Sequence, residues 1–285
     1  MTITQATLEC FAAYLKSKER SELTIEKYLR DVRKFAGYLN GDEVTKEAVT
    51  GFKEMLCEKG YAIRSINSML AAINSFLIYV GLENCTVCQM KLQHQIYCPA
   101  EKELSQGEYE RLLHAAEKKS VLWLIMQTIC ATGIRVSELQ YFTAEAVRRG
   151  EVIVRCKNKT RSILMPQQLC RLLQRYMKQH RICEGTIFRG RSGKPISRGW
   201  IWAQMKAICR EAGVLPTKVF PHNLRKLFAR TFYKMQHDIA KLADVLGHSN
   251  INTTRIYLLT SGTEHRRIID SLGLVCRKLP AVLNE

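Results

Sequence analysis

Four side chains suited to nucleophilic and acid–base chemistry lie close together in the last quarter of the sequence. His222 and Arg225 are three residues apart, so a helix would project them from the same side. Gly247 should end an apolar helix, which would hold His248 in a fixed place just beyond that helix end. Tyr257 follows nine residues after His248. The sequence therefore predicts a rigid cluster of two histidines, an arginine and a tyrosine.

This combination of side chains is suited to phosphoryl transfer. A tyrosine hydroxyl, with a reference pKa of about 10, is a weak nucleophile unless a base or nearby cations activate it. Attack on a phosphodiester builds negative charge on the non-bridging oxygens, and guanidinium groups held in place stabilise that charge. Histidine can transfer the proton near neutral pH. The cluster predicts covalent transfer to Tyr257, with a second arginine and a general acid still to be found.

The motifs around these residues resemble those of the tyrosine recombinase (phage integrase) family. The chain has H-x-x-R at His222, L-G-H-S around His248 and a tyrosine nine residues later, and its size is closest to the Xer-like, simple two-domain members. The segment A-T-G-I-R-V-S-E-L is similar to a further family motif; it supplies the second arginine, Arg135, and Glu138 to position it. The family has histidine where this chain has Lys226, a departure expected to alter only local hydrogen bonding.

Positive charge is concentrated in the C-terminal part of the chain. The formal net charge is +18, of which residues 1–98 contribute +1 and residues 99–285 contribute +17. The hydrophobic content of 46% and charged content of 25% are those of an ordinary globular protein, whereas the net charge is not. Such an uneven basic balance indicates a polyanionic partner, and nucleic acid is the first candidate.

The spacing of apolar residues predicts two domains. Residues 1–85 contain four helical segments, with helix starts near Thr24 and Thr45 and a fourth helix over Ser65 to Val80. Residues 86–103 form the predicted linker and residues 104–285 the second domain. The resemblance implies a mainly α protein, with an N-terminal core-binding, SAM-like domain that clamps DNA and an α+β catalytic domain with a small antiparallel sheet.

The second domain has its own start signal and a buried centre. Ser105 to Glu108 form an S-x-x-E capping box. Val121 to Cys130 are nearly continuously apolar and too long for a typical strand, so a central buried helix is expected there. A new helix is expected to begin at Arg135. Thr186 to Phe188 suggest a third strand, and a helix is expected from Trp200 to Ala212.

Two short β-branched runs enclose Lys157-Asn158-Lys159, a pattern typical of a hairpin. In the family a lysine on this turn protonates the leaving 5′ oxygen. Counting from Gly150 gives that role to Lys157. Lys159 remains the competing candidate, because a hairpin register read from sequence can be wrong by one or two residues.

The resemblance implies a role for each remaining member of the set. Tyr257 would form a 3′-phosphotyrosyl link and release a 5′ hydroxyl, while Arg135 and Arg225 neutralise the phosphorane-like transition state. His222 would serve as acid and base, and His248 would orient the phosphate or share that duty. No cofactor and no metal ion are expected. The outcome would be site-specific recombination through a Holliday junction, of the kind used for DNA integration by mobile genetic elements.

Ten further basic side chains are candidates for contacts with DNA. They are Lys27, Arg30, Arg33, Lys34, Arg64, Arg155, Lys159, Arg161, Arg198 and Lys226. The implied partner is double-stranded DNA with paired half-sites, bound by a homo-tetramer at synapsis and by a protein that is monomeric when free. The apolar tail after Gly262 is expected to link neighbouring protomers. We expect no separate arm-binding domain.

The cysteines and the apolar segments bear on location. Eleven scattered cysteines are typical of reduced thiols in a cytoplasm, where the protein would be nucleoid-associated. Cys85, Cys88, His94 and Cys98 have spacing only approximate for zinc, so no metal site is predicted. No uninterrupted apolar stretch is long enough for a membrane helix, and the N-terminus lacks the features of a signal peptide.

Two other functions share features of this sequence. A type IB topoisomerase has the same nucleophile and cations, but the Xer-like size and motif context favour a recombinase. A non-catalytic DNA-binding descendant of the family is the other alternative, and the presence of Tyr257, Arg135 and Arg225 counts against it.

Overall fold

The computed structural model describes residues 1–91, 100–156, 159–190, 193–259 and 262–272. Its internal contacts divide the chain into two compact units, Met1–His94 and Gln95–Glu285. The predicted linker boundaries stay a prediction, because most of that segment lies outside the described residues.

The first unit consists of four helices followed by one 3-10 turn. The helices are α1 (Gln5–Ser17), α2 (Glu22–Leu39), α3 (Lys46–Glu58) and α4 (Ile63–Tyr79), and the turn is Glu83–Cys85. Four phenylalanine rings are wholly buried in the core: Phe11 meets Phe76 edge-on at 5.2 Å between ring centroids, and Phe35 meets Phe52 at 5.2 Å. The predicted four-helix domain is confirmed.

Helix starts in this unit agree with the sequence in one case and differ in another. Thr45 caps α3 by accepting a hydrogen bond from the Ala48 N–H. The N-cap of α2 is Ser21 rather than Thr24, and the two hydroxyls hydrogen-bond to each other at 2.9 Å. Thr24 therefore lies inside the first turn that it was expected to cap.

The second unit is mainly helical, and its described residues contain one two-stranded sheet. Its helices are α5 (Gln106–Ala115), α6 (Ser120–Thr132), α7 (Ala144–Arg149), α8 (Gln167–Gln179), α9 (Arg198–Ala207), α10 (Pro221–Gln236), α11 (Ile239–Leu246), α12 (Ile251–Arg255) and α13 (Gly262–Ser271). Strands β1 (Glu151–Cys156) and β2 (Lys159–Leu164) pair antiparallel, with Glu151 opposite Leu164 and Cys156 opposite Lys159. The predicted hairpin is confirmed.

Helix α6 forms the centre of this unit, as its apolar sequence predicts. Its side chains Leu122, Ile125, Met126 and Ile129 have no exposed surface, and α10 packs along it. The capping box at the start of α5 is present with both of its hydrogen bonds, between Ser105 and Glu108. Burial of this apolar helix fixes the two segments that carry Arg135 and Arg225.

Three local predictions in this unit are wrong. Thr186 forms only an isolated bridge with Thr143, so no third strand exists there. The segment after Arg135 is a 3-10 helix, Val136–Tyr141, rather than an α-helix. Helix α9 runs from Arg198 to Ala207 instead of from Trp200 to Ala212. It begins two residues earlier than expected because the Ser197 hydroxyl caps it.

The described ranges contain neither a membrane-spanning helix nor a cluster of metal ligands. None of the helices there combines the length and apolar character needed to cross a bilayer. The same residues contain no group of three or more His, Cys, Asp or Glu side chains arranged to hold a metal ion. Of the four zinc candidates, Cys85 is buried, Cys88 is exposed, and His94 and Cys98 lie outside the described residues.

Candidate active site

The end of α6 brings Arg135 to the site. Gly133 stops the helix in a left-handed conformation with φ of 63°. A Cβ at this position would collide with the ring of Phe228, so glycine is required by both conformation and space. Arg135 lies two residues after Gly133, and its side chain is 43% exposed, so its guanidinium can reach a ligand from solvent.

Arg135 is held by the buried carboxylate of Glu138. One Glu138 oxygen accepts from the Arg135 backbone N–H at 2.7 Å, and the other accepts from Arg135 Nη1 at 3.1 Å. Arg161 Nη2 donates to the first oxygen at 2.6 Å, and Arg161 Nη1 donates to the Val245 carbonyl at 2.7 Å. Arg161 thereby connects β2, the Arg135 turn and the last residues of α11.

The C-terminus of α11 closely approaches Arg161. Gly247 ends the helix with φ of 65°, and a Cβ there would lie 2.6 Å from Cδ of Arg161. The backbone N–H of His248 donates to the Ala243 carbonyl, which closes the helix end. His248 is thus fixed just beyond the helix, as the sequence predicts.

Arg225 is a buried cation at the centre of the site. Its side chain is 1% exposed, and it projects from the first turns of α10. Nη1 donates to the Gly133 carbonyl, and Nη2 donates to the Leu246 carbonyl at 2.7 Å and to Nε2 of His248 at 2.9 Å. Its Nε has no hydrogen-bond partner in the structure as described. Burial first, and then the charge of Arg135, lower the pKa of Arg225 to about 10, so the group remains charged at neutral pH.

Tyr257 packs between the two histidine rings. It is 6% exposed, and its ring centroid lies 5.1 Å from that of His222 and 5.2 Å from that of His248, with both rings edge-on. Cζ of Arg225 lies 5.9 Å from the Tyr257 ring centroid. The four residues identified by spacing in the sequence therefore form one contiguous cluster.

Both histidines are neutral at pH 7. Burial, followed by the charges of Lys226, Arg225 and Arg135, lowers the pKa of His222 to about 4. Its side chain keeps an exposed face, so we attribute this direction mainly to the three cations. Burial, and then the charges of Arg225 and other cations, lowers the pKa of His248 to about 4 as well. Neutral rings can accept a proton as well as donate one.

An open groove borders this cluster. Its volume is about 730 Å³, and Arg135, His222 and Arg225 line it together with Arg198 and Trp202 of α9. Arg198 is therefore one of the predicted DNA-contact residues that lie next to the cluster. A groove with three guanidinium groups in its lining is suited to a phosphate ester.

The other candidates for DNA contact have varied surroundings. In the first unit, Arg33 and Arg64 are exposed, whereas Lys27 and Arg30 bond to the buried carboxylate of Asp31. Lys34 donates to the Tyr61 hydroxyl at 2.6 Å and lies over that ring. These contacts do not test whether the five residues bind DNA, so that role stays a prediction.

In the second unit, Arg155 is exposed on β1 and Lys226 is half-buried beside His222. Arg161 donates hydrogen bonds to Glu138 and to the Val245 carbonyl, and its contact with DNA also stays a prediction. Lys157 lies outside the described residues. Lys159 begins β2, and its side chain is outside the described set.

A comparison with protein families identifies the chain. Residues 102–262 match the profile of the phage integrase family. The chain belongs to that family. Residues 8–83 of this phage integrase family member match a second profile, described as the N-terminal SAM-like domain of phage integrases.

Curated relatives align with the family member over nearly its whole length. It is 28% identical over 282 residues to the tyrosine recombinase XerA of Pyrococcus furiosus, covering 96% of each chain. It is 29% identical over 264 residues to the tyrosine recombinase XerD of Pseudomonas aeruginosa, covering 84% of this chain and 87% of the relative.

Solved structures share its fold. A XerH recombinase bound to its difH substrate matches with a TM-score of 0.68 and 20% identity, over 94% of this chain and 84% of that one. A lambda integrase dimer bound to a core site matches with a TM-score of 0.71 and 18% identity, over 99% of this chain and 100% of that one. These likenesses confirm the mainly α, two-part fold.

The sequence did not predict that Arg161 and Thr254 contact the residues of this cluster. Arg161 was expected to contact DNA, and its internal bonds depend on a register that pattern alone does not fix. Thr254, which is wholly buried, places its hydroxyl 2.9 Å from Nδ1 of His248. The sequence offers one indication that Thr254 lies near the site: it precedes Tyr257 by three residues, which places both on the same face of a helical turn.

The internal bonds of Arg161 predict a loss of stability when they are removed. We expect Arg161→Ala to lower the free energy of unfolding by about 1–3 kcal/mol, because the Val245 carbonyl and one Glu138 oxygen lose their donor. Urea denaturation followed by tryptophan fluorescence measures this, since Trp123, Trp200 and Trp202 are all in the second unit. Arg155→Ala, an exposed arginine on the paired strand, is the matched control and should change stability by no more than about 0.5 kcal/mol. Equal values for the two variants would contradict the positioning role.

Proposed function

We propose that this phage integrase family member is a site-specific DNA recombinase that cuts and rejoins DNA through a 3′-phosphotyrosyl intermediate. The observation that carries the proposal is the packing of Tyr257 against two neutral histidines and a buried arginine beside a cationic groove. The curated relatives at 28–29% identity are named tyrosine recombinases, which favours this function over a topoisomerase.

In the first step Tyr257 would attack the scissile phosphate. The Tyr257 oxygen forms a bond to phosphorus, and the bond from phosphorus to the 5′ oxygen breaks. Lys157 would give that oxygen the proton that makes it a 5′ hydroxyl, and the phosphate stays on the 3′ side. The tyrosine proton passes to His222, whose ring contacts the nucleophile. The negative charge of a bound phosphate would oppose the cations that lower the pKa of this histidine, and so make it a better base.

The arginines would stabilise charge on the transferring phosphoryl group. Arg225 has a fixed orientation because two backbone carbonyls and His248 hold its guanidinium. Arg135 is fixed by Glu138. Groups that need no reorientation as charge develops contribute most to catalysis. The phosphotyrosyl ester keeps the energy of the broken bond, so a 5′ hydroxyl of another strand can reverse the reaction.

The proposed partner is double-stranded DNA with paired half-sites. Sequential exchange of strands through a Holliday junction requires several nucleophiles on one synapse, so we propose a tetramer on DNA assembled from free monomers. A cytoplasmic, nucleoid-associated location and a place in the movement of genetic elements would follow from this function.

A nicked suicide duplex tests the proposal. Cleavage next to the nick releases a short strand that diffuses away, so the covalent complex cannot be reversed. We expect an adduct that resists SDS, formed to the same extent in excess EDTA as in Mg²⁺, because every proposed catalytic group is a side chain. Complete loss of the adduct on chelation, or no adduct on any DNA that the protein binds specifically, would contradict the mechanism.

The leaving-group role of Lys157 has a separate test. A 5′-bridging phosphorothiolate leaves as a thiolate and hardly needs a general acid. We expect Lys157→Ala to cleave normal DNA slowly and to recover most of its rate on the sulfur-containing duplex, measured as adduct formed over time. Lys159→Ala is the matched control two positions away. Recovery by the Lys159 variant instead would transfer the role to that residue.

A further inference from the structure

The two ring nitrogens of His248 have different partners, and these partners determine which nitrogen carries the proton. Nε2 lies 2.9 Å from Nη2 of Arg225, and Nδ1 lies 2.9 Å from the hydroxyl oxygen of Thr254. A guanidinium can only donate a hydrogen bond, so Nε2 must accept it. The neutral ring therefore carries its proton on Nδ1 and donates it to Thr254.

This tautomer has no donor at Nε2 that could hydrogen-bond to a phosphate. Phosphate ester oxygens are acceptors, and so is an unprotonated Nε2. Nε2 is the nitrogen that faces Arg225, which lines the groove. For His248 to donate to a bound phosphate, a proton must be on Nε2.

A second proton on the ring would be one way to achieve this, but the surroundings oppose it. Burial and the charges of Arg225, Arg135 and Arg161 disfavour the imidazolium form. The other way leaves the ring neutral: its proton changes from Nδ1 to Nε2, and Nδ1 becomes an acceptor. That change requires a partner at Nδ1 that can donate as well as accept.

We propose that Thr254 is a positioning residue that allows neutral His248 to change tautomer when DNA binds. In the free protein the Thr254 hydroxyl accepts from Nδ1–H. With a phosphodiester in the groove the same hydroxyl would donate to Nδ1, and Nε2–H would donate to a non-bridging oxygen. Arg225 Nη2, which then loses its acceptor on His248, would donate to the phosphate instead, while the Gly133 and Leu246 carbonyls continue to hold the guanidinium. A hydroxyl is suited to this because it can act in either direction. The proposal rests on the proposed function, since it assumes that the scissile phosphate occupies this groove.

The position of Thr254 fits the role. Its side chain is wholly buried, and its backbone carbonyl accepts from the Tyr257 N–H at 2.9 Å. The residue therefore connects the orienting histidine with the turn that carries the nucleophile. The competing explanation is that Thr254 only fills space in α12, which valine, of the same shape, would do equally well.

Two variants separate these explanations by cleavage rate. Thr254→Val removes the hydroxyl and keeps the shape, while Thr254→Ser keeps the hydroxyl. We expect the valine variant to form the suicide-duplex adduct about 10- to 100-fold more slowly, the effect of leaving one buried polar group unpaired. The serine variant should cleave within about 3-fold of the wild-type rate, because it loses one methyl group and keeps the hydroxyl that bonds to His248. A valine variant that cleaves at the wild-type rate would overturn the proposal.

Histidine ¹⁵N chemical shifts give a readout that does not depend on cleavage. With a His248→Gln spectrum for assignment, free wild-type protein should show protonated Nδ1 and unprotonated Nε2 at His248. Thr254→Val should change these signals and Thr254→Ser should not. In the Tyr257→Phe protein bound to the uncleaved duplex, the proton should be on Nε2.

The outcomes are distinct. A slow valine variant with unchanged His248 signals would overturn the proposal in favour of a merely structural role, as would a free protein with the proton already on Nε2. If valine prevents folding, Thr254→Ala takes its place in both measurements. Failure of the proposed function would appear separately, as no adduct from the wild type, and the ¹⁵N spectra of the free protein would still decide which tautomer Thr254 supports.

Discussion

Replacing Tyr257 with phenylalanine is expected to abolish the covalent protein–DNA adduct while leaving specific binding of the duplex within about 2-fold of the wild type. The ring packs edge-on against His222 and His248 with only 6% of the residue exposed, and phenylalanine preserves that packing. What is lost is the oxygen that would bond to phosphorus. Denaturing gels of suicide-duplex reactions, together with gel shifts, measure the two quantities.

The control for this variant is Tyr233→Phe, which alters a half-buried tyrosine of α10 in the same apolar cluster. It should form adduct at the wild-type rate. An undiminished adduct from the Tyr257 variant would remove this residue as the nucleophile. A loss of adduct from both variants would point instead to a general sensitivity of the cluster.

Replacement of Arg225 should have the next largest effect. We expect Arg225→Ala to slow single-turnover cleavage by about 10²- to 10³-fold, the loss typical for a fixed charge-stabilising group. The variant also deprives the Gly133 and Leu246 carbonyls of a donor, so it should unfold more easily, by about 1–3 kcal/mol for each buried acceptor left unpaired.

Arg225→Lys distinguishes the two effects. Its ammonium keeps the charge but cannot reproduce a planar fork that contacts two carbonyls and Nε2 of His248. Cleavage should fall between the wild type and the alanine variant. Lys234→Ala, an exposed cation on the same helix, is the control for a general loss of charge. Wild-type cleavage by the Arg225→Lys protein would show that geometry at this position is unimportant.

The sequence predicted those parts of the site that depend on helix periodicity and helix ends. Arg225 follows His222 by one helical turn, and Gly247 has the left-handed conformation that fixes His248. Such features are local, so spacing of three or four residues and a glycine are sufficient to predict them. The first unit was predictable for the same reason, apart from the cap of α2, where Ser21 and Thr24 are both chemically suitable.

Features that depend on contacts distant in sequence were not predictable. Arg161 contacts Glu138 and Val245, which lie 23 and 84 residues away, and no local pattern marks that geometry. Thr186 to Phe188 have β-branched and aromatic residues, yet in the described part of the chain they pair with no strand and form only the isolated bridge from Thr186 to Thr143. The proposed role of Thr254 could be inferred only from the partners of the two ring nitrogens of His248, which the sequence does not reveal.

The shared carboxylate of Glu138 sets the charge balance of the site. Arg135, Arg161 and Arg225 carry three positive charges and Glu138 carries one negative charge, while both histidines are neutral, so this group retains two positive charges. Arg198 in the groove lining and Lys226 beside His222 add to this surplus. Arg225 itself has carbonyl partners and no acid, so a phosphate need not displace an anion to reach it. A phosphodiester brings one negative charge, and its five-coordinate transition state approaches two. Under the proposed function, this surplus of positive charge stabilises the transition state more than the intact DNA backbone, which is the condition under which binding energy accelerates a reaction instead of merely retaining the substrate.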